Sequence, residues 1–270
     1  MKRLVATLLF AAAAAAAFGL VTASAHTQKH AAKLRVFRVA LAGENETPAG
    51  DPVATGSATI RARAGQAKVC YTLVARDLSG RAVAAHIHRG AAGAAGPVVI
   101  PLKTPNASGR ASGCAKTSKA LVRAILRRPS RFYVNVHTRE FPGGAVRAQL
   151  AGKRTVLGTV LHLDLQGTSE PNATGTAVLR LRKAAGLVCY RLHAANVTLP
   201  TVAAHIHKGA AGTNGPVVVP FTAPGADGNS SGCATAAATL IDDILANPSG
   251  YYVNVHTKEH PAGAIRAQLG

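Results

Sequence analysis

His86 and His88 stand two residues apart in Ala85-His86-Ile87-His88-Arg89-Gly90. On a β-strand that spacing puts both imidazoles on one face, with Ile87 on the other and the two Cα atoms about 6.5–7 Å apart. Two imidazoles so placed can converge on one cation. A third histidine follows in Phe132-Tyr133-Val134-Asn135-Val136-His137-Thr138. Here period two turns Val134 and Val136 inward and places Asn135 and His137 on the opposite face. If the two strands are neighbours, His86, His88 and His137 form a three-imidazole set with an open position, a donor set suited to Zn²⁺ or Cu²⁺.

The same residues recur. His205, His207 and His256 lie 119 residues further on, in Ala204-His205-Ile206-His207-Lys208-Gly209 and Tyr251-Tyr252-Val253-Asn254-Val255-His256-Thr257. Six of the 11 histidines fall in these matched positions; His26, His30, His162, His193 and His260 have no histidine partner at that offset. The competing reading makes the six imidazoles structural hydrogen-bonders where loops cross a sheet edge. Glu140 and Glu259 follow the third histidine of each set by three residues, so each offers a carboxylate to orient an imidazole. Arg147 and Arg266 offer guanidinium anchors for a carboxylate or for backbone carbonyls. No catalytic residue is assigned: the chain has no nucleophile elbow and no paired carboxylates. The glycine-rich stretch Gly90–Pro97 lacks the Lys-Ser/Thr of a phosphate loop and reads as a tight β-connection.

A repeat of 119 residues is too long for a solenoid unit and suits a whole domain. The elements that must carry the histidines are mostly strands. Ala58, Ile60 and Ala62 alternate with Thr59, Arg61 and Arg63, and Val69, Tyr71 and Leu73 with Cys70, Thr72 and Val74. Turns are expected at Gly65, Gly80, Pro97 and Pro142-Gly143-Gly144. One segment per repeat has helical spacing, Thr117–Arg128 with Leu121, Ile125 and Leu126, and Ala236–Ala246 with Leu240, Ile244 and Leu245. The expected fold class is therefore mainly β: two tandem Greek-key-like β-sandwich or barrel domains, each with one short helix in a connection. Domain boundaries are set at 35–151 and 152–270, after a lead-in over 26–34 and with Gly152-Lys153-Arg154 as a short connector. The early segment Glu44–Ala54 has no full equivalent in the second copy.

Residues 1–25 have the layout of a secretory signal peptide: Lys2-Arg3, an apolar stretch from Leu4 to Val21, then Ala23-Ser24-Ala25. No later segment is long and apolar enough to span a bilayer. The expected localisation is secreted or cell-envelope. In an oxidising compartment four cysteines read as two disulfides. Four cysteines allow three pairings, and the repeat selects Cys70–Cys114 and Cys189–Cys233, one within each domain. Neither pair has the Cys-X-X-Cys spacing of a zinc site.

The net charge of +20 is unevenly shared. Arg35–Leu150 holds 18 Lys and Arg against 5 Asp and Glu, whereas Thr155–Leu269 holds 7 against 6. A basic exported domain finds anionic partners. An extracellular or envelope protein, or an anionic polymer, is the expected partner. Nucleic acid ranks below these. The competing reading places the arginines on solvated faces, since no basic run is dense enough to form a tail.

The motifs resemble the CHRD domain: Ala-His-Ile-His-X-Gly-X-X-Gly-X-X-Gly-Pro-Val-Val, a cysteine, Tyr-Val-Asn-Val-His-Thr, then Pro-X-Gly-X-Val/Ile-Arg-Ala-Gln-Leu. The opening Leu41-Ala42-Gly43-Glu44-Asn45-Glu46-Thr47-Pro48 also looks like the family's start, and the second copy departs from it at Leu165–Pro171. The family's usual Arg-Gly-Gln-Leu is Arg147-Ala148-Gln149-Leu150 and Arg266-Ala267-Gln268-Leu269 here. The resemblance implies a domain type found in chordin, an extracellular antagonist of bone morphogenetic proteins, and in many bacterial secreted proteins. It implies no one defined activity. The expectation is an exported two-domain, non-enzymatic binding module with Zn or Cu in each three-histidine set. The alternative is a copper-dependent redox enzyme of superoxide dismutase type, by analogy of fold and of His-X-His.

Overall fold

The computed structural model describes residues 34–152 and 156–270. The expected signal peptide, most of the lead-in, and Lys153 and Arg154 of the connector lie outside them. The first domain comprises β1 (Leu34–Ala42), β2 (Thr55–Arg63), β3 (Lys68–Arg76), β4 (Ala84–Arg89), β5 (Val98–Leu102), β6 (Arg110–Lys116), helix α1 (Lys119–Arg127), β7 (Phe132–His137) and β8 (Val146–Gln149). The second repeats them as β9 (Thr159–Gly167), β10 (Thr174–Arg182), β11 (Leu187–Ala195), β12 (Thr201–Lys208), β13 (Val217–Phe221), β14 (Asn229–Thr235), α2 (Ala238–Ala246), β15 (Tyr251–Thr257) and β16 (Ile265–Gln268).

Each domain is one eight-stranded antiparallel sheet, in the order β5-β4-β7-β8-β1-β2-β3-β6, and β13-β12-β15-β16-β9-β10-β11-β14 in the second. The connections β3→β4 and β5→β6 cross between opposite ends of the sheet, which gives the Greek-key-like path. The sheet curls into a near-barrel, so that its end strands β5 and β6 approach each other. The curl is a solution to burial: period-two strands have one apolar face, and closing the sheet on itself hides that face. In β2, Ala58, Ile60 and Ala62 are buried while Ser57, Arg61 and Arg63 are exposed. In β3, Val69, Tyr71 and Leu73 join the same core with Ile87, Ile100, Val134 and Val136. The disulfides are Cys70–Cys114 and Cys189–Cys233, each joining directly paired residues of neighbouring strands.

The helices close the core, but on a rotated stripe. In α1 the buried residues are Val122 and Ile125, with Leu121 and Leu126 only partly covered. In α2 they are Ile241 and Ile244, and Leu245 is 39% exposed. The expected Leu121/Ile125/Leu126 stripe is thus corrected to an i, i+3 pair. A nine-residue helix lying against β2 and β3 inserts only one turn's worth of side chains. Ser118 caps α1, its hydroxyl accepting from the Leu121 N–H at 3.0 Å.

The segment 44–54, which the second copy replaces by a tighter turn, reaches the second domain. Glu44 receives both guanidinium NH₂ groups of Arg180 at 2.9 Å and one of Arg182 at 2.8 Å. Arg180 also donates to the carbonyls of Leu157 and Pro52 and is fully buried. Asp51, equally buried, accepts from Arg191 at 2.9 Å and from the N–H groups of Ser79, Val53 and Ala54. Burial works against ionisation of Glu44, yet the hydrogen bonds and charge of Arg180, with Arg182, hold its carboxyl below the usual value.

Candidate metal centre

β4 and β7 are hydrogen-bonded neighbours, with Ala84 opposite His137, His86 opposite Asn135 and His88 opposite Tyr133. The register therefore puts all three histidines on one face. One nitrogen from each of His86, His88 and His137 lies within 4.8 Å of the others, and the same holds for His205, His207 and His256 on β12 and β15. No carboxylate or thiolate joins either set among the described residues.

Two imidazoles in each set are fixed by backbone carbonyls. His88 Nδ1 lies 2.8 Å from the Gly96 carbonyl and His137 Nδ1 2.9 Å from that of Pro142. The equivalents are His207 to Gly215 at 2.9 Å and His256 to Pro261 at 3.0 Å. An Nδ1–H donated to a carbonyl leaves the Nε2 lone pair as the free donor. His88 Nε2 and His207 Nε2 are buried with no hydrogen-bond partner. His137 Nε2 faces His86 Nδ1 at 3.2 Å and the Asn135 side-chain oxygen at 3.1 Å. His256 Nε2 faces His205 Nδ1 at 3.2 Å. Ring nitrogens converging in a half-buried recess are what a cation could join. Burial, and then the neighbouring imidazoles, push His86 and His205 below the ordinary histidine value. Burial does the same to His137 and His256 against the opposing pull of their carbonyl partners. These four imidazoles are thereby held toward the neutral form, the form that can bind metal.

The surroundings brace this geometry. His88 stacks on Tyr133 with ring centroids 4.7 Å apart and planes at 7°; His207 stacks on Tyr252 at 4.9 Å and 6°. Arg147 and Arg266 lie over the same tyrosine rings, at 3.3 and 3.6 Å from the centroids. Arg147 donates to the Ala91 carbonyl at 2.7 Å, Arg266 to that of Thr213 at 3.2 Å. Gln149 adds a bond to the Gly90 carbonyl. The glycine-rich stretch is thus the β4–β5 connection, tied down over the histidines. Gly96 and Gly215 must be glycine there, since a Cβ would run into the carbonyls of Arg89 and Lys208.

The orienting role expected of Glu140 and Glu259 falls to the Pro142 and Pro261 carbonyls. The turn after β7 delivers a backbone oxygen to Nδ1, while the Glu140 carboxylate packs beside Gly80. Tyr133 and Tyr252 stand in no motif of their own, although Tyr133, Asn135 and His137 share one period-two face. The same face borders Glu46. Its side chain is buried beside Arg147 with one unpartnered oxygen, and burial pushes its carboxyl up to about 7 against the Arg147 charge and the Asn135 amide.

Compared with known proteins, the chain finds no match among curated proteins or among solved structures. The family model of the CHRD domain matches it twice, over residues 37–150 and 161–269. The two repeats and their shared histidine face are therefore those of a tandem pair, and the chain belongs to the CHRD domain family.

Proposed function

We propose that this is an exported, non-enzymatic binding protein whose two domains each hold one Zn²⁺ or Cu²⁺ ion, through His86, His88 and His137 and through His205, His207 and His256. The observation that carries the reading is that three imidazoles in each domain offer ring nitrogens within 4.8 Å of one another, and that Nε2 of His88 and of His207 is buried without a partner. Export is supported by the leader-like sequence of residues 1–25 and by the two disulfides. Among the described residues no helix is long and apolar enough to cross a membrane. The charge of the first domain favours an anionic envelope polymer as partner.

Metal analysis of the full chain tests this, after loading with Zn²⁺ or Cu²⁺ and dialysis. The expected content is two equivalents, falling close to none in a His86→Ala/His205→Ala variant. A folded protein that retains no metal would overturn the reading, and superoxide consumption by the copper-loaded form would replace the binding role with a redox one.

A further inference from the structure

The first domain carries a cleft of about 840 Å³ beside the end of α1, bordered by Arg89, Arg127, Arg128 and Arg131 over Phe132 and Ala124. The four arginines come from three places: the end of β4, the end of α1, and the turn before β7. Two of them complement the carbonyl end of the helix. Arg89 lies over the Phe132 ring, 5.5 Å from its centroid, and Arg131 has no such partner among the described residues. None of the four meets a carboxylate among the described residues, although every Asp and Glu of the chain is among those residues.

The second domain shows what the position asks for. At the repeat offset, Arg89 becomes Lys208, Ala124 becomes Asp243 and Phe132 becomes Tyr251. The Asp243 carboxylate receives the Lys208 ammonium at 2.8 Å and the Tyr251 hydroxyl. Both partners hold its carboxyl below the ordinary value. The second domain therefore supplies its own anion and has Ala246, Asn247 and Gly250 where the first has Arg127, Arg128 and Arg131. In the first domain the alanine leaves that space open and the surrounding positive charge is larger.

We propose that this cleft binds clustered phosphate groups of a soluble, phosphate-bearing chain, seated where Asp243 sits in the second domain. One carboxylate balances one lysine, whereas four guanidinium groups call for several adjacent negative charges. Phosphate oxygens match the guanidinium fork in pairs. The inference rests on the reading of the partner as anionic and is independent of the histidines.

The test is calorimetric titration of the full chain with sodium tripolyphosphate at low ionic strength. Removing cleft charge in Arg89→Ala/Arg131→Ala should weaken binding about tenfold or more. Ala124→Asp, which installs the second domain's carboxylate, should weaken it comparably. Arg63→Ala, an exposed strand arginine outside the cleft, should change it by less than about twofold. Unaltered binding in both cleft variants, or an equal loss in Arg63→Ala, would overturn the assignment. So would sedimentation with phosphatidylglycerol vesicles without affinity for tripolyphosphate, which would make the site a lipid-surface contact. Undiminished tripolyphosphate binding by His86→Ala/His205→Ala is expected, so that failure of the metal reading and failure of this one are told apart.

Discussion

Glu46 and the imidazoles of His137 and His256 shift in opposite senses, although burial is the leading cause for both. A buried imidazole resists protonation, so its contribution to stability is lost as pH falls below the ordinary histidine value. A buried carboxyl resists ionisation. Glu46, with a folded value near 7 against an ordinary 4.5, contributes stability that is full below 4.5 and lost as pH rises through 7. Glu46→Gln mimics the protonated form at every pH. Its stability relative to the wild type should therefore rise between pH 4.5 and 7 by about 3 kcal/mol, then level off. Urea unfolding of both proteins across that range measures the difference with the histidine contribution cancelled. A difference that is flat with pH would mean that Glu46 is ionised and solvated.

At the scale of elements, each domain depends on a curled sheet whose core one short helix helps to seal. Ile244 sits in that seal with no exposed surface, and Leu245 is 39% exposed. Ile244→Ala should cost about 2–5 kcal/mol, and Leu245→Ala less than about 1 kcal/mol. Thermal or urea denaturation of the two variants distinguishes the structure's stripe from the one expected from spacing. The contrast also shows where the sequence was legible. Strands such as Ser57–Arg63 alternate apolar residues with arginine or threonine, so the buried face could be read directly. The helices carry apolar residues on too many sides: Leu121, Val122, Ile125 and Leu126 fit two stripes, and only the seat against the sheet chooses between them. The three-histidine face was legible because His-X-His and Asn-X-His obey period two. Its carbonyl partners were not, since Gly96 and Pro142 act through backbone oxygens whose direction depends on the path of a turn.

In the whole molecule the two copies of one domain also meet through a segment that is longer in the first. Glu44 and Asp51 were visible in sequence as part of an insertion, but their partners Arg180 and Arg191 lie 136 and 140 residues away, beyond any local pattern. Glu44→Gln leaves the Arg180 cation buried without its carboxylate, which should cost about 3 kcal/mol of coupling between the domains. In scanning calorimetry the expected outcome is a single transition in the wild type that splits into two in the variant. The two domains then differ in charge and in this joint, while the histidine face is common to both. That common face is tested most directly by X-ray absorption at the zinc edge of the Zn²⁺-loaded full chain. The account predicts two ions per chain, each with three imidazole nitrogens at about 2.0–2.1 Å. A shell of oxygen or sulfur without the imidazole signature, or one unrelated to His86, His88 and His137 and their second-domain counterparts, would contradict it.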